Sequence, residues 1–317
     1  MRLRWGWAAL VLPLARFPSH AELDRVTPPA GPSGCSAGDA APARTSKTVG
    51  LRLRAGAFPG SNSKDVVVHV PAGFDPGRPF GLVVYFHGWQ GCAEAVMTAD
   101  PTDCRQGGLR RAGSNLAGQI DDARVNALLV AIELRVDMAT GDPGALARPA
   151  GLHEALHELL GERLTPTIGC ALDIEALGRV VLIAHSGGYQ AAAAVLARGD
   201  LPQITEVVLF DALYGADDVF ARWVMDDIDG FMRPSPRLRF VDLYTCCAGT
   251  AERSLELFQR LRRVNRQTRG GDSVGASTKE STPGLVFRRV PDAHDALPNR
   301  YAREIIEGAG FEPLPSR

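Results

Sequence analysis

The sequence predicts an α/β fold in which a mostly parallel sheet of eight strands is covered by helices on both faces. From about residue 47 onward, apolar runs of strand length alternate with longer segments whose apolar residues recur every three or four positions. Six of the runs are almost continuously apolar, as strands buried on both faces of a parallel sheet must be. The chain has 317 residues, of which 45% are hydrophobic and 22% charged, and these values are ordinary for a globular protein. We therefore expect one large domain over 47–317.

Two segments precede this domain. Residues 1–21 are interpreted as a signal peptide, because Arg2 and Arg4 stand before a short apolar run and small residues follow at positions suited to cleavage. A misassigned start codon is the alternative. Residues 22–46 are rich in Pro, Gly, Ala and Ser and have no periodicity, which predicts a flexible linker. The expected location is therefore outside the cytoplasm, either secreted or in the periplasm or cell envelope.

The eight predicted strands fall into two groups. The first two alternate apolar with polar residues and lie close together, as an antiparallel pair at a sheet edge would. The other six are the buried parallel strands. In chain order the segments are TVGLRLRAG, DVVVHVPAG, FGLVVYFHGW, VNALLVAIEL, RVVLIAHSG, ITEVVLFDAL, LRFVDLYTC and LVFRRVP.

Helical periodicity predicts six helices between and after the parallel strands, each with one apolar face to lay on the sheet. In chain order they are GGLRRAGSNLAGQIDDA, PAGLHEALHELLGERL, GGYQAAAAVLARGD, DDVFARWVMDDI, TAERSLELFQRLRRVNR and NRYAREIIEGAG. Periodicity alone also allows a Rossmann-like sheet, so the motifs must decide between the two.

The most informative motif is the junction AHSGG, where a predicted strand runs directly into a predicted helix. It resembles the nucleophile elbow of the α/β-hydrolase superfamily, G-x-S-x-G between a strand and a helix, with Ala184 in place of the first glycine and Gly187 and Gly188 at the later positions. The resemblance covers roughly residues 47–313. It implies an α/β-hydrolase fold with Ser186 as the nucleophile, whereas the alternative role for Ser186 is an ordinary helix N-cap.

Two further segments match the places where the superfamily carries its site. His87, Gly88 and Trp89 follow the third strand, where similar hydrolases supply part of an oxyanion hole. The resemblance implies that the backbone N–H groups of Trp89 and Gly187 are the two donors. It also implies that His294, in the loop between the last strand and the last helix, is the general base. His-Gly at a strand end is weak evidence by itself, because it also suits a structural turn.

The acid of the implied triad is harder to assign. Superfamily members usually carry it after the seventh strand, where this chain offers only Asp242, inside the strand, and Glu252, in the next helix. Asp211 ends the sixth strand, a position that some similar lipases use. We expect Asp211 rather than Glu252 to orient His294, and a structural role in capping a turn is the alternative.

Six cysteines are typical of an exported protein, in which disulfides persist. Cys92 and Cys104 flank a short polar loop and are the favoured pair. Cys246 and Cys247 are adjacent, and we do not expect them to bridge each other. The remaining connectivity is left open. No C-x-x-C pair is present, so a zinc site is not expected.

The resemblance to the superfamily implies a serine hydrolase that acts on carboxylic esters and needs no cofactor or metal. The formal net charge of -1 offers no field that would attract nucleic acid, and no membrane span is expected. The segment 214–236, where the superfamily inserts its lid, is short and has one predicted helix. A small lid suits an open cleft and a small-molecule or polymeric ester. The alternatives are an amidase or peptidase with the same triad, or an inactive exported binding or scaffold protein.

Overall fold

The computed structural model describes Cys35 and residues 42–59, 64–104, 110–135, 141–268, 281–282 and 284–315. The predicted signal peptide at 1–21 lies outside these residues. So does most of the predicted linker at 22–46.

All eight predicted strands are present, and a ninth, two-residue strand extends the main sheet. The strands of the described residues are β1 (Lys47–Leu51), β2 (Val66–Val70), β3 (Phe80–Phe86), β4 (Thr102–Asp103), β5 (Arg110–Arg111), β6 (Ala127–Ile132), β7 (Leu177–His185), β8 (Ile204–Phe210), β9 (Arg239–Tyr244), β10 (Ser281–Thr282) and β11 (Leu285–Arg289). The main sheet has the order β1-β2-β6-β3-β7-β8-β9-β11-β10, and β4 and β5 form a separate ribbon. From β6 to β11 neighbouring strands are parallel, while β1, β2 and β10 are antiparallel to their neighbours.

Helices cover both faces of the sheet. The described α-helices are α1 (Ala93–Met97), α2 (Leu116–Ala123), α3 (Gly151–Glu158), α4 (Thr165–Ile168), α5 (Tyr189–Arg198), α6 (Asp217–Asp226), α7 (Ile228–Met232), α8 (Ala251–Thr268) and α9 (Leu297–Gly308). Apolar residues of α1, α2 and α9 pack on one face, and those of α3, α5, α6 and α8 pack on the other. No helix in the described part of the chain is both long enough and apolar enough to cross a membrane.

The two helical layers explain the apolar strands. Every residue of β3 and of β6 is buried, because side chains on both sides of these central strands meet a helix. The edge strand β1 is mostly exposed. The continuous apolar runs in the sequence therefore correspond to the centre of the sheet, and the alternating run corresponds to its edge.

Two helix predictions need correction. In the described part of GGLRRAGSNLAGQIDDA, residues 110–123, the helix begins only at Leu116, and Arg110–Arg111 instead pairs with Thr102–Asp103 in the ribbon. The reason is tertiary: the chain passes so close to the end of α1 that a Cβ on Gly113 would lie 2.1 Å from the Thr98 carbonyl oxygen. In the lid, two helices replace the one expected, because the Asp227 side chain accepts a hydrogen bond from Gly230 and starts a new helix.

All six cysteines are disulfide-bonded. The pairs are Cys35–Cys170, Cys92–Cys104 and Cys246–Cys247, with Cα–Cα distances of 5.3, 5.3 and 3.7 Å. The expectation that the two adjacent cysteines would not bridge each other is therefore wrong. The chain bends at once after β9, over residues 246–249, and this bend lets neighbouring sulfurs meet.

The parallel strands deliver polar residues to one edge of the sheet. His87 follows β3, Ser186 follows β7, Asp211 follows β8, Thr245 follows β9 and His294 lies in the loop after β11. Because the carboxyl ends of parallel strands meet at the same edge, residues far apart in the sequence converge there.

Candidate active site

Ser186 occupies a strained turn between β7 and α5. Its φ is 52°, in the left-handed region that non-glycine residues rarely adopt. A Cβ on Gly188 would lie 2.4 Å from the carbonyl oxygen of Phe86, so glycine is required where the elbow crosses β3. Strain of this kind persists only when the surrounding structure imposes it, and it raises the serine hydroxyl above the edge of the sheet.

Glycines from two loops, Gly88 and Gly141, lie so close to the Ser186 turn that a side chain would not fit at either position. A Cβ on Gly88 would lie 2.7 Å from the Cβ of Ser186 and 3.3 Å from its Oγ. A Cβ on Gly141, which has a φ of 60°, would lie 2.2 Å from the carbonyl oxygen of Gly187. The Ser186 side chain therefore faces the His87–Trp89 loop at close range.

Asp211 is fully buried at the end of β8. Its carboxylate accepts hydrogen bonds from the Thr245 hydroxyl at 2.7 Å, from the Thr245 N–H at 3.1 Å and from the Thr250 hydroxyl. Burial alone would raise the pKa of Asp211, but the hydrogen bonds from His294, Thr250 and Thr245 outweigh it and hold the pKa at about 2. The group is therefore a carboxylate at neutral pH.

His294 is bound to that carboxylate. Its Nδ1 lies 2.8 Å from Asp211 Oδ2. Because a carboxylate can only accept, Nδ1 carries the proton and Nε2 is left as the basic nitrogen. Glu252, the other candidate acid, is exposed in the first turn of α8. Of the two acids considered, Asp211 is the one that contacts His294.

His185 supports the loop that carries His294. The two imidazole rings lie 4.7 Å apart, tilted by 37°, and His185 Nε2 is 3.1 Å from the backbone oxygen of His294. Burial, and after it the charge of His294, lower the pKa of His185 to about 4. His185 is therefore neutral at neutral pH, and its Nε2–H donates to the carbonyl oxygen.

Ser186 itself contacts Tyr214. Burial, and after it the charge of Asp211, raise the pKa of Tyr214 to about 12, while its hydrogen bond with the Ser186 side chain acts in the opposite direction. Among the hydrogen bonds of the described residues, none joins Ser186 to His294. Catalytic hydrogen bonds are often long without substrate and tighten when it binds. The Tyr214 ring also stands edge-on to His294, with 6.4 Å between ring centroids.

The loop after β3 leaves the backbone N–H of Trp89 available. His87 Nδ1 donates to the carbonyl oxygen of Gly88 at 2.9 Å, and its Nε2 accepts from the Leu134 N–H at 2.9 Å. Burial lowers the pKa of His87 to about 4, which fixes this neutral form. The Trp89 N–H has no acceptor among the described residues, and the Gly187 N–H lies in the first turn of a helix, where no intrahelical acceptor exists.

Only one group of side chains in the described residues could hold a metal. His185, His294 and Asp295 have ligating atoms within 4.8 Å of one another. However, His294 Nδ1 is already bonded to Asp211, so a metal would occupy Nε2, the nitrogen that a general base needs.

Several residues of the site carry no sequence signal that we could have used. His185, Tyr214, Thr245 and Thr250 contact the predicted residues across long stretches of chain. Thr245 and Thr250 flank the CCAG segment, which matches no motif. Only the fold brings their hydroxyl groups to Asp211.

Comparisons with known proteins find this architecture elsewhere. No protein-family model matches the chain, and no curated protein matches it significantly. Among solved structures, a serine-to-alanine variant of the feruloyl esterase module from Clostridium thermocellum, complexed with sinapinate, aligns with a TM-score of 0.50 at 11% identity over 89% of this chain and 98% of that one.

Two other solved structures align less closely. The CE1 ferulic acid esterase from Anaeromyces mucronatus gives a TM-score of 0.40 at 15% identity over 88% of this chain and 94% of that one. The Francisella virulence factor BioJ gives 0.44 at 10% identity, over 92% and 88%. Together with the strand order and the two helical layers, the alignment to the feruloyl esterase module shows that this chain has the α/β-hydrolase fold.

Proposed function

We propose that the chain is a serine hydrolase that cleaves carboxylic esters through an acyl-enzyme. The observation that carries the proposal is the combination at one sheet edge of a strained Ser186 and a His294 whose Nδ1 is 2.8 Å from the buried carboxylate of Asp211. A serine is a weak nucleophile until a base accepts its proton, and an oriented imidazole beside it provides that base.

In the acylation step, His294 Nε2 accepts the hydroxyl proton as Ser186 Oγ attacks the ester carbonyl carbon. The carbonyl electrons move to oxygen, and the N–H groups of Trp89 and Gly187 stabilise the oxyanion. The oxyanion then collapses, the C–O bond to the alcohol breaks, and the leaving alkoxide takes the proton from His294. Water repeats the sequence on the acyl-enzyme and releases the acid. Asp211 stabilises the imidazolium in both halves.

Two features support an ester as the substrate. The lid segment is short, with α6 and α7 as its only α-helices among the described residues, so the cleft can admit a small-molecule or polymeric ester. The feruloyl esterase module with the same fold is named for ester cleavage. An amidase or peptidase would use the same residues, because the fold leaves the leaving group open.

The three disulfides support export to an oxidising compartment, either secreted or within the cell envelope. No cofactor enters the proposed chemistry, and neither nucleic acid nor a membrane is proposed as a partner.

The test is labelling of the purified, oxidised protein with a fluorophosphonate probe, followed by a panel of p-nitrophenyl esters and anilides. We expect the wild type to be labelled and to cleave esters faster than anilides, and the Ser186→Ala variant to do neither. Folded wild type that is not labelled would favour the inactive scaffold. Faster anilide cleavage would favour an amidase.

A further inference from the structure

Arg111 lies on the β4–β5 ribbon and donates hydrogen bonds to the loop that carries Trp89. Its Nη2 donates to the backbone oxygen of Trp89 at 3.1 Å and to Gln90 Oε1 at 2.9 Å, and its Nε donates to the backbone oxygen of Gln90 at 3.2 Å. One guanidinium group therefore binds three acceptors on two consecutive residues. Its planar, forked donor geometry suits such a task.

The bond from Arg111 to the Trp89 carbonyl sets the direction of the next N–H group in the loop, that of Gln90. In a planar trans peptide the C=O and the following N–H point in opposite directions. Arg111 holds the Trp89 carbonyl and thereby orients the Gln90 N–H, while His87 and the Gly91 N–H hold the Gly88 carbonyl and orient the Trp89 N–H. Like the Trp89 N–H, the Gln90 N–H has no acceptor among the described residues.

The loop that carries Trp89 includes an unfavourable backbone conformation, which contacts from outside the loop must stabilise. Gln90 has a φ of 59°, a left-handed conformation that is unfavourable for a residue with a Cβ. The Arg111 bonds lie on either side of this residue and oppose its relaxation. The same guanidinium also approaches the loop that carries His294, where its Nη1 lies 3.8 Å from Asp295 Oδ2. Because Asp295 is largely exposed, this ion pair is weak, and the loop contacts dominate.

We propose that Arg111 is a positioning residue, which holds the loop after β3 in the conformation that presents its N–H groups to the oxyanion. This inference rests on the proposed function, since it assigns Arg111 a role in that same reaction. The guanidinium acts through the loop and does not touch the ester. The proposal predicts that Arg111 affects the transition state more than the bound ester.

The experiment compares Arg111→Ala and Arg111→Lys with Arg110→Ala and the wild type. Arg110 is the matched control, because it lies on the same ribbon but donates outward to the backbone oxygen of Pro101. With p-nitrophenyl acetate we expect Arg111→Ala to lower kcat by about tenfold to a hundredfold and to leave KM within about twofold, since a misplacement of about 1 Å can cost about a hundredfold.

Chemical rescue separates positioning from loss of structure. Millimolar guanidinium should restore part of kcat in Arg111→Ala, and it should leave Arg110→Ala unchanged. Arg111→Lys should stay impaired, because an ammonium group cannot span the three acceptors. Equal kinetics in Arg111→Ala and Arg110→Ala, or a loss of kcat explained by a lower melting temperature and not rescued, would overturn the proposal. A wild type that neither hydrolyses the ester nor labels at Ser186 would instead overturn the proposed function, and this role of Arg111 with it.

Discussion

Two buried aspartates, one directly after β8 and one within β9, show how local contacts decide the charge of a group. Asp211 and Asp242 are both fully buried. Asp211 accepts several hydrogen bonds, which hold its pKa at about 2. Burial raises the pKa of Asp242 to about 7, a shift that the nearby Ser254 opposes and the charge of Asp211 reinforces. Equal burial therefore gives a carboxylate at one position and a group that holds its proton up to near neutrality at the other.

Replacing Asp211 tests its proposed role. We expect Asp211→Asn to lower kcat by about ten-thousandfold, because an amide cannot stabilise the imidazolium and favours the wrong tautomer of the base. The measurement is steady-state hydrolysis of a p-nitrophenyl ester. Asp217→Asn is the control, since it removes a carboxylate that pairs with Arg253 outside the site. Similar rates for Asp211→Asn and Asp217→Asn would show that Asp211 has no part in the proposed mechanism.

Replacing Asp242 should change the pH dependence of stability. Between about pH 4 and pH 7 the folded chain keeps a proton on Asp242 that the unfolded chain releases, so this group makes the free energy of unfolding fall as pH rises through that window. Asp242→Asn removes the effect. We expect the stability of the variant relative to wild type to increase steadily from pH 4 to pH 7, by a few kcal/mol in total at about 1.4 kcal/mol per pKa unit.

Urea unfolding at a series of pH values measures this difference. Glu133 and Glu206 also have pKa values raised to about 7 by burial. The Asp242→Asn variant should therefore retain part of the pH dependence of stability that the wild type shows. Parallel stability curves for the wild type and Asp242→Asn would show that Asp242 ionises in the folded protein as it does in the unfolded chain.

At the scale of elements, the elbow depends on close contact between β3 and the start of α5. A Cβ on Gly188 would lie 2.4 Å from the backbone oxygen of Phe86, and neither backbone can move without disturbing the sheet. We expect Gly188→Ala to lower the free energy of unfolding by about 1–3 kcal/mol, the range for overpacking, and to lower activity because Ser186 is displaced.

The matched control is Gly161→Ala. Gly161 lies in the helical turn that continues α3, and a Cβ there meets nothing within 4 Å. Alanine should leave the stability unchanged or raise it slightly, by up to about 1 kcal/mol, through its helix propensity. Thermal unfolding followed by circular dichroism checks both variants. If Gly188→Ala were as stable as Gly161→Ala, the contact with β3 would not be tight.

The sequence predicts well those elements that have the same kind of neighbour on both sides. A central strand such as β3 meets apolar helices on both sides, so its own residues carry the signal. The residues of β5 carry no such signal, because Arg110 and Arg111 form a strand only by pairing with Thr102–Asp103. The same limit applies to the site. The strand-to-helix context marks Ser186, whereas the hydroxyl groups that hold Asp211 come from a loop with no local signature.

At the scale of the whole molecule, the disulfides divide into one that joins distant parts of the chain and two that act locally. Cys35 is buried and is bonded to Cys170, 135 positions away, so this bond joins Cys35 to the loop before β7. Cys92–Cys104 closes a loop of 12 positions directly after the loop that carries Trp89. Loop-closure entropy makes the longer link the more stabilising one, whereas proximity to Trp89 makes the shorter one more relevant to the proposed activity.

Stability and activity should therefore respond to different disulfides. We expect replacement of both Cys35 and Cys170 by serine to lower the free energy of unfolding by roughly 5 kcal/mol and to leave kcat near the wild-type value. Replacing both Cys92 and Cys104 should cost less stability, about 3 kcal/mol by the same loop-entropy relation, but should lower kcat more, because the loop next to Trp89 and Arg111 loses its anchor. Urea unfolding and ester hydrolysis, measured on the same preparations, compare the two double variants. A larger loss of kcat without Cys35–Cys170 than without Cys92–Cys104 would mean that the long link, and not the short one, holds in place the sheet edge that carries Ser186.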